Sequence, residues 1–185
     1  DNNVYLAGHS KGGNLAMCAG MELSDVLRDK IRLIYNFDGP GFLKMEYEGK
    51  YGLIRDRLIN VVPTGSVVGM CLYNDNYRSV KSKDLAFSEH YPIGWCLFGE
   101  FFVKGTLSKV SKQIHEMTTS NLDMVDKKEL GETLEELCKG MGVDYDSDLH
   151  LSIGELWEVL KNMKGIDPKV YKYLTSVMQA LMKVK

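Results

Sequence analysis

The segment that most restricts the fold of this chain is an apolar run, a glycine–serine turn and a second apolar run. Val4-Tyr5-Leu6-Ala7 has the character of a strand, and Gly8-His9-Ser10-Lys11-Gly12 follows it directly. The residues from 15 to 21 (LAMCAGM) then favour a helix. A short strand that is apolar on both faces is typical of a buried parallel strand, so this unit predicts an α/β sheet.

Three further strands are predicted downstream. They cover residues 31–37 (IRLIYNF), 58–62 (LINVV) and 77–80, with an extension of the last to Ser82 left open. Glycine- and proline-containing turns end the first two, because proline cannot continue a ladder. Helical or irregular segments separate the strands. This alternation predicts a mostly parallel sheet with helices on its faces.

From about Thr106 the apolar pattern changes to the 3.6-residue period of helices. Three amphipathic faces can be read, of which the last follows Pro168: Leu130, Leu134, Leu137 and Met141; Ile153, Leu156, Trp157, Leu160 and Met163; Val170, Tyr173, Leu174, Val177, Met178, Leu181 and Met182. Such stripes usually face a core. We therefore predict an α/β core portion over residues 1–105 and a helical extension, packed on it, over residues 106–185.

Composition excludes several classes of protein. Of 185 residues, 44% are hydrophobic and 26% charged, which argues against a disordered chain. The net charge of -2 gives no reason to expect nucleic acid as a partner. No apolar run approaches the roughly 20 residues of a transmembrane helix, and no charged leader precedes an apolar stretch. We expect a cytoplasmic protein.

The cysteine pattern also favours the cytoplasm. They stand singly among apolar residues, without CxxC spacing: Cys18, Cys71, Cys96 and Cys138. Free buried thiols in a reducing compartment are favoured over disulfides or a metal site. We expect neither a metal nor an organic cofactor.

The position of the first strand raises a question of completeness. A strand that is buried on both sides needs two neighbours, and only three residues precede Val4. We therefore expect that a further N-terminal segment, in the same chain or in another one, completes the sheet. If the chain does begin at Asp1, the exposed apolar edge could pair with a second copy to form a homodimer.

The turn itself matches G-x-S-x-G, a motif in which serine occupies a strained strand-to-helix turn and exposes its hydroxyl. Ser10 is then a candidate nucleophile, and the backbone N–H of Lys11 a candidate oxyanion donor at the helix N-terminus. The competing interpretation is a plain glycine-rich turn. The Lys11 side chain could bind an anionic substrate, although a solvated or ion-paired lysine at the start of a helix is favoured.

Four motifs carry a resemblance to a known family. GHSKGGNLA resembles the corresponding turn of the α/β-hydrolase superfamily, near the class 3 (fungal-type) lipases. Together with FDGPGF, VVPTGSVVGM and a histidine followed by tryptophan five residues later (His90 and Trp95), it more specifically resembles a bacterial lipase-like family of uncharacterised function. The match covers residues 1–100 well and the helical tail loosely. It implies that the first strands, and the loop with the second oxyanion donor, precede Asp1.

A serine hydrolase needs a histidine base, which in this fold follows the acid in the chain. His90 comes after the fourth strand, at the carboxyl end of the predicted sheet, and is the favoured base; a structural histidine is the alternative. His9 lies inside the motif, and we expect it to pack under the turn and to point away. His115, in a helical stretch, and His150, in a polar loop, are expected to be solvated or structural.

The acid is less well defined. The resemblance implies an aspartate after the third strand, where this chain has Ser66. Asp38, after the second strand, could serve instead, since the carboxyl ends of neighbouring parallel strands lie together. Its alternative role is to cap the DGPG turn. Asp84 and Glu89 are weaker candidates, and Asp75 should lie at the opposite, amino end of the sheet.

These residues predict a serine hydrolase that cleaves carboxylic esters, lipid esters among them, with Ser10 as nucleophile, His90 as base, Asp38 as acid and the Lys11 N–H as oxyanion donor. Ser66 at the expected acid position favours a rival interpretation, a catalytically inactive hydrolase-like module whose helices bind a partner. A peptidase or thioesterase would share the same catalytic groups and differ only in its pockets.

Overall fold

The computed structural model describes residues 3–120, 125–140 and 153–182. The strands in these ranges are β1 (Val4–His9), β2 (Ile31–Phe37), β3 (Leu58–Pro63), β4 (Tyr77–Val80), β5 (Leu97–Phe98) and β6 (Phe101–Phe102). The helices are α1 (Lys11–Glu22), α2 (Asp25–Arg28), α3 (Lys44–Gly49), α4 (Lys109–Ser120), α5 (Lys127–Gly140), α6 (Ile153–Asn162) and α7 (Pro168–Leu181). Short 3₁₀ segments cover Tyr51–Leu53, Arg55–Arg57, Val68–Met70, Ala86–His90 and Pro92–Gly94.

The main sheet has four parallel strands in the order β1-β2-β3-β4. Because each strand follows its neighbour through a crossover, all carboxyl ends lie at one edge of the sheet. A small antiparallel hairpin, β5–β6, forms separately. The predicted parallel α/β sheet is confirmed, and β4 ends at Val80, so that Ser82 contributes only an isolated bridge to Trp95.

Helix α1 packs on one face of this sheet. Its inward positions Met17, Gly20 and Met21 are buried. A Cβ on Gly20 would approach Ile34 Cδ1 to 2.6 Å, so the missing side chain lets the helix lie close to β2. The core at this face is completed by apolar residues of the strands and of the segments on either side of α3: Ile31, Ile34, Phe42, Tyr51, Ile54 and Leu58.

Strand β1 is more exposed than its apolar sequence predicts. Val4 and Tyr5 are 39% and 57% exposed, and among the described residues β1 pairs with β2 alone. This exposure follows from the place of β1 at the edge of the described sheet, where a strand has one neighbour instead of two. The expectation that a further segment covers this edge stays a prediction.

The described residues divide into two compact units, one within residues 3–119 and one within residues 120–182. Nearly all of α4 belongs to the first unit, although the sequence pattern groups it with the helical extension. Three contacts explain this: Ser111 Oγ donates to Thr64 O, His115 Nδ1 lies 3.2 Å from Met70 O, and Thr118 Oγ1 accepts from Leu72 N.

The second unit is helical, as its 3.6-residue periodicity predicts. Its core joins α6 and α7 to the segment before α5: Val125, Leu160, Val170, Leu174 and Met178. Pro168 is the first residue of α7, where its lack of an N–H costs nothing. No helix among the described residues is long and apolar enough to cross a bilayer.

Candidate active site

Ser10 lies between β1 and α1 with a strained backbone. Its φ of 57° and ψ of -130° fall in a region that L-residues rarely adopt, at a typical cost of about 1–3 kcal/mol. Its N–H continues the ladder by donating to Phe37 O at 3.0 Å, and its own carbonyl accepts from Gly13 N at 2.9 Å. The turn therefore changes from strand to helix at a single residue, as the G-x-S-x-G pattern predicts.

Gly8 permits this turn. A Cβ on Gly8 would lie 2.1 Å from the carbonyl oxygen of Gly12. At Gly12 itself a Cβ would meet nothing within 4 Å, whereas at Gly13 it would lie 2.0 Å from Asn36 Oδ1. The positions at this turn that require the absence of a side chain are thus Gly8 and Gly13, and Gly12 is not one of them.

Asp38 lies beside Ser10 at the same edge of the sheet. The register pairs His9 with Phe37, so Ser10 and Asp38 are the next residues of neighbouring strands. The Asp38 N–H donates to Val61 O at 2.8 Å, and its φ of 50° then turns the chain away from the ladder. Aspartate tolerates this left-handed backbone better than most residues.

The turn after Asp38 is held by two asparagines. Asn36 is fully buried; its Oδ1 accepts from Gly39 N at 2.9 Å, and its Nδ2 donates to Gly39 O at 3.1 Å. From α1, Asn14 Nδ2 donates to the carbonyls of Pro40 and Gly41. Asparagine side chains thus cap this turn, so the carboxylate of Asp38 is not needed for that purpose.

That carboxylate is fully buried and has three hydrogen-bond donors. His90 Nδ1 lies 2.8 Å from Asp38 Oδ2, while Ser66 Oγ donates to Asp38 Oδ1 at 2.5 Å and Gly69 N donates to it at 3.2 Å. A buried charge is tolerated only when it is paired and hydrogen-bonded in this way. A Cβ on Gly69 would come within 2.3 Å of Asp38 Oδ1, so this glycine makes room for the carboxylate.

The contact with Asp38 determines which ring nitrogen of His90 carries the proton. A carboxylate oxygen only accepts, so Nδ1 is the donor and Nε2 of the neutral ring presents a lone pair. Among the described residues, neither His90 Nε2 nor Ser10 Oγ has a hydrogen-bond partner. The structure thus brings Asp38 and His90 into contact and records no hydrogen bond between His90 and Ser10.

Glu89 anchors the loop that carries His90. Its side chain is buried, Oε2 accepts from Gly65 N at 2.8 Å, and its carbonyl accepts from Trp95 Nε1 at 2.7 Å. Burial raises the pKa of Glu89; the Gly65 N–H lowers it, and the carboxylates of Asp38 and Asp84 raise it. Glu89 therefore ties the loop that carries His90 to the loop after β3, and within the described residues it makes no hydrogen bond to the His90 ring.

This environment predicts a pH-dependent effect of Glu89→Gln. The pKa of the Glu89 carboxyl is higher in the folded chain than in the unfolded one, so wild-type Glu89 contributes stability in its protonated form. This contribution to the free energy of unfolding is fully present below the unfolded pKa, near 4.5, and is lost as pH rises through the folded pKa. Glutamine keeps an oxygen for Gly65 N but carries no charge. We expect the variant to gain free energy of unfolding relative to wild type as pH increases from 4 to 8, measured by urea titration.

The exposed Glu48 on α3 provides the matched control. Glu48→Gln should unfold in parallel with wild type across that pH range. A stability difference for Glu89→Gln that does not change with pH would contradict the raised pKa.

Within the described part of the chain, no hydrogen bond joins the remaining candidates to Asp38 or His90. Asp84 has its backbone N–H on Ser82 Oγ and no hydrogen bond to His90. Asp75 precedes β4 and pairs with Arg55 at 2.6 Å, at the amino end of the sheet as predicted. The Lys11 side chain is exposed at the start of α1, and His150 lies outside the described residues.

Some residues of this site were missed or misread at the level of sequence. His9 does not point away: its Nε2 lies 2.8 Å from His90 O, and the two rings are 4.5 Å apart between centroids. Ser66 contacts Asp38 itself, and Asn36 holds the turn behind it. The alternation of β2 does mark Asn36 as a polar residue in an apolar strand, which could have indicated a buried hydrogen-bonding role.

A groove of about 970 Å³ lies on the sheet, lined by apolar residues that include Phe37, Val61 and Phe102. Neither Ser10, Asp38 nor His90 lines it. This groove is therefore separate from the polar cluster at the carboxyl ends of the strands.

Comparison with known proteins shows a family to which the chain is similar. A protein-family model described as Mbeg1-like matches residues 1–139, which contain every residue of the cluster. No curated protein and no solved structure shows significant similarity to the chain.

Proposed function

This chain belongs to the Mbeg1-like family, and we propose that it is a serine hydrolase of α/β-hydrolase type that cleaves carboxylic esters through Ser10. The observation that carries the proposal is the hydrogen bond between His90 Nδ1 and the buried carboxylate of Asp38, which directly follows the last ladder pair on β2 as Ser10 does on β1. A histidine oriented by a buried acid, next to a half-buried serine on a strained turn, is the arrangement that serine hydrolases use.

The strain at Ser10 supports a catalytic role. A non-glycine residue with this φ and ψ destabilises the fold unless its surroundings enforce the conformation. Here the ladder bond to Phe37 and the close approach of Gly8 to Gly12 enforce it. A plain turn would be more stable with glycine at position 10, so a serine there is better explained by its hydroxyl.

The first half of the reaction uses Ser10 and His90. Ser10 Oγ attacks the ester carbonyl while its proton passes to His90 Nε2, and the imidazolium is stabilised by Asp38. The carbonyl oxygen becomes negative and accepts from the Lys11 N–H at the start of α1, where the helix dipole favours an anion. The bond to the alcohol oxygen then breaks, His90 returns the proton to that oxygen, and an acyl-serine remains.

The second half repeats these roles with water. His90 Nε2 takes a proton from water as the water oxygen bonds to the acyl carbon. The bond to Ser10 Oγ breaks, Ser10 recovers its proton from His90, and a carboxylic acid leaves. His90 therefore mediates every proton transfer in this cycle.

A second candidate is a hydrolase-like binding module without activity. It is favoured by one observation: Ser10 Oγ and His90 Nε2 share no hydrogen bond among the described residues. Catalytic hydrogen bonds are often long without substrate, which weakens this objection. Asp38 also supplies the carboxylate whose absence after β3 first suggested an inactive module.

The test is covalent labelling with a fluorophosphonate, followed by intact-mass analysis and peptide mapping. We expect one adduct, located on Ser10, that disappears in Ser10→Ala. Ser24→Ala is the matched control, because Ser24 is an exposed residue at a helix start and its variant should label normally. Hydrolysis of a panel of p-nitrophenyl esters would then define the acyl preference.

Failure of the folded wild-type protein, in its longest natural form, to react would contradict the hydrolase and favour the binding module. An adduct on any other serine would equally reject Ser10 as the nucleophile. Circular dichroism on each variant separates loss of reactivity from loss of fold.

A further inference from the structure

His9 links the Ser10 turn directly to the base loop, the segment after β4 that carries His90. The His9 ring nitrogen Nε2 lies 2.8 Å from the backbone oxygen of His90. The two rings are also in contact, with centroids 4.5 Å apart and planes inclined by 39°. His9 is the residue immediately before Ser10, so one side chain spans from the nucleophile to the backbone of the base.

We propose that His9 is a positioning residue, which donates from Nε2–H to the His90 carbonyl and holds the base loop against the Ser10 turn. A carbonyl oxygen only accepts hydrogen bonds, so the proton of neutral His9 lies on Nε2. The inference about this hydrogen bond stands on geometry alone. Its catalytic consequence rests on the proposed function.

The other anchors of the base loop connect it elsewhere. Asp38 holds the His90 ring from the loop after β2, and Gly65 holds the Glu89 carboxylate from the loop after β3. Trp95 bonds within the base loop itself. Among the described residues, the contact from His9 is the one side-chain hydrogen bond between the residues of the G-x-S-x-G turn and this loop.

This link matters because His90 Nε2 must meet Ser10 Oγ with a separation of roughly 3 Å. Displacing a catalytic group by about 1 Å can cost about 100-fold in rate. With the ring oriented only by Asp38, the loop remains free to shift relative to β1. The hydrogen bond from His9 removes that freedom at the strand that also carries Ser10.

Two substitutions separate the hydrogen bond from simple packing. His9→Phe keeps an aromatic ring beside His90 but has no donor. His9→Gln loses the ring, and its amide nitrogen can reach the His90 carbonyl as Nε2 does. We expect His9→Phe to slow fluorophosphonate labelling of Ser10 by about 10- to 100-fold and His9→Gln to stay within about threefold of wild type.

The same chain provides a readout that does not depend on activity. In ¹⁵N-labelled protein at pH 8, the imidazole nitrogen shifts should show the Nε2–H tautomer for His9 and the Nδ1–H tautomer for His90. An Nδ1–H tautomer at His9 would overturn the inference, and so would labelling of His9→Phe at the wild-type rate. Equal losses in His9→Phe and His9→Gln would assign the effect to packing and reject the hydrogen bond.

The two proposals fail in different ways. If wild type is not labelled at all, the hydrolase is rejected while the tautomer measurement still decides the His9 contact. If wild type is labelled and the two variants behave alike, the hydrolase survives and the positioning role is lost.

Discussion

Asp38→Asn should slow fluorophosphonate labelling of Ser10, and the turnover of any ester it cleaves, by about 10³- to 10⁴-fold. Asp38 Oδ2 accepts the proton on His90 Nδ1. An asparagine can present its NH₂ group there, which requires His90 Nδ1 to accept and moves the ring proton to Nε2. His90 could then no longer take the proton of Ser10, although the shape of the site would be unchanged.

Matched variants around the same carboxylate define how specific this effect is. Ser66→Ala removes one donor to Asp38 Oδ1 but leaves Gly69 N and the contact with His90, so we expect a loss of about tenfold or less. Asp84→Asn should label like wild type, since Asp84 makes no hydrogen bond to His90 in the described structure. If Asp84→Asn lost as much rate as Asp38→Asn, the acid would have to be reassigned.

The parts of this fold that could be predicted are those encoded over a few neighbouring residues. The alternation of apolar runs with glycine and proline turns predicted the four parallel strands; β2 and β4 have the predicted bounds, and β3 is one residue longer than predicted. The strained turn at Ser10 follows from five consecutive residues. Local signals of this kind are predictive because the steric limits on the backbone act within a single turn or strand.

For the side-chain contacts of the site, the sequence could reduce the number of candidate residues but could not show which of them meet. Asp38 and His90 are separated by more than fifty residues, and sequence order alone left Asp38 balanced between an acid and a turn cap. The structure shows that Asn36 and Asn14 hold that turn. The contact of His9 with His90 was not predicted, because it depends on the position of a loop that is distant in the chain. No local sequence pattern encodes that position.

Ser66 is the clearest case of a misleading position. By resemblance, an aspartate was expected there, and its absence suggested that the acid was lost. In the structure the Ser66 hydroxyl donates to a carboxylate that comes from the neighbouring strand end. Adjacent parallel strands deliver their next residues to one place, so a group can be supplied from either of them.

Gly8→Ala should destabilise the first unit by about 3 kcal/mol or more. The new methyl group would lie 2.1 Å from Gly12 O and 2.6 Å from Gly13 N, and both are backbone atoms that cannot rotate away. The end of β1 and the start of α1 would have to separate, which disturbs the Ser10 backbone between them. Urea denaturation followed by circular dichroism measures the change, and labelling of Ser10 in the fraction that remains folded should also fall.

Gly12→Ala is the matched control within the same five residues. A methyl group there meets nothing within 4 Å, and the position lies in the first turn of α1. Alanine is a better helix former than glycine, so we expect no loss of stability and a gain of up to about 1 kcal/mol. Equal stability of the two alanine variants would show that β1 and α1 do not cross at Gly8. The strained Ser10 backbone, and with it the structural basis for a serine nucleophile, would then have no support.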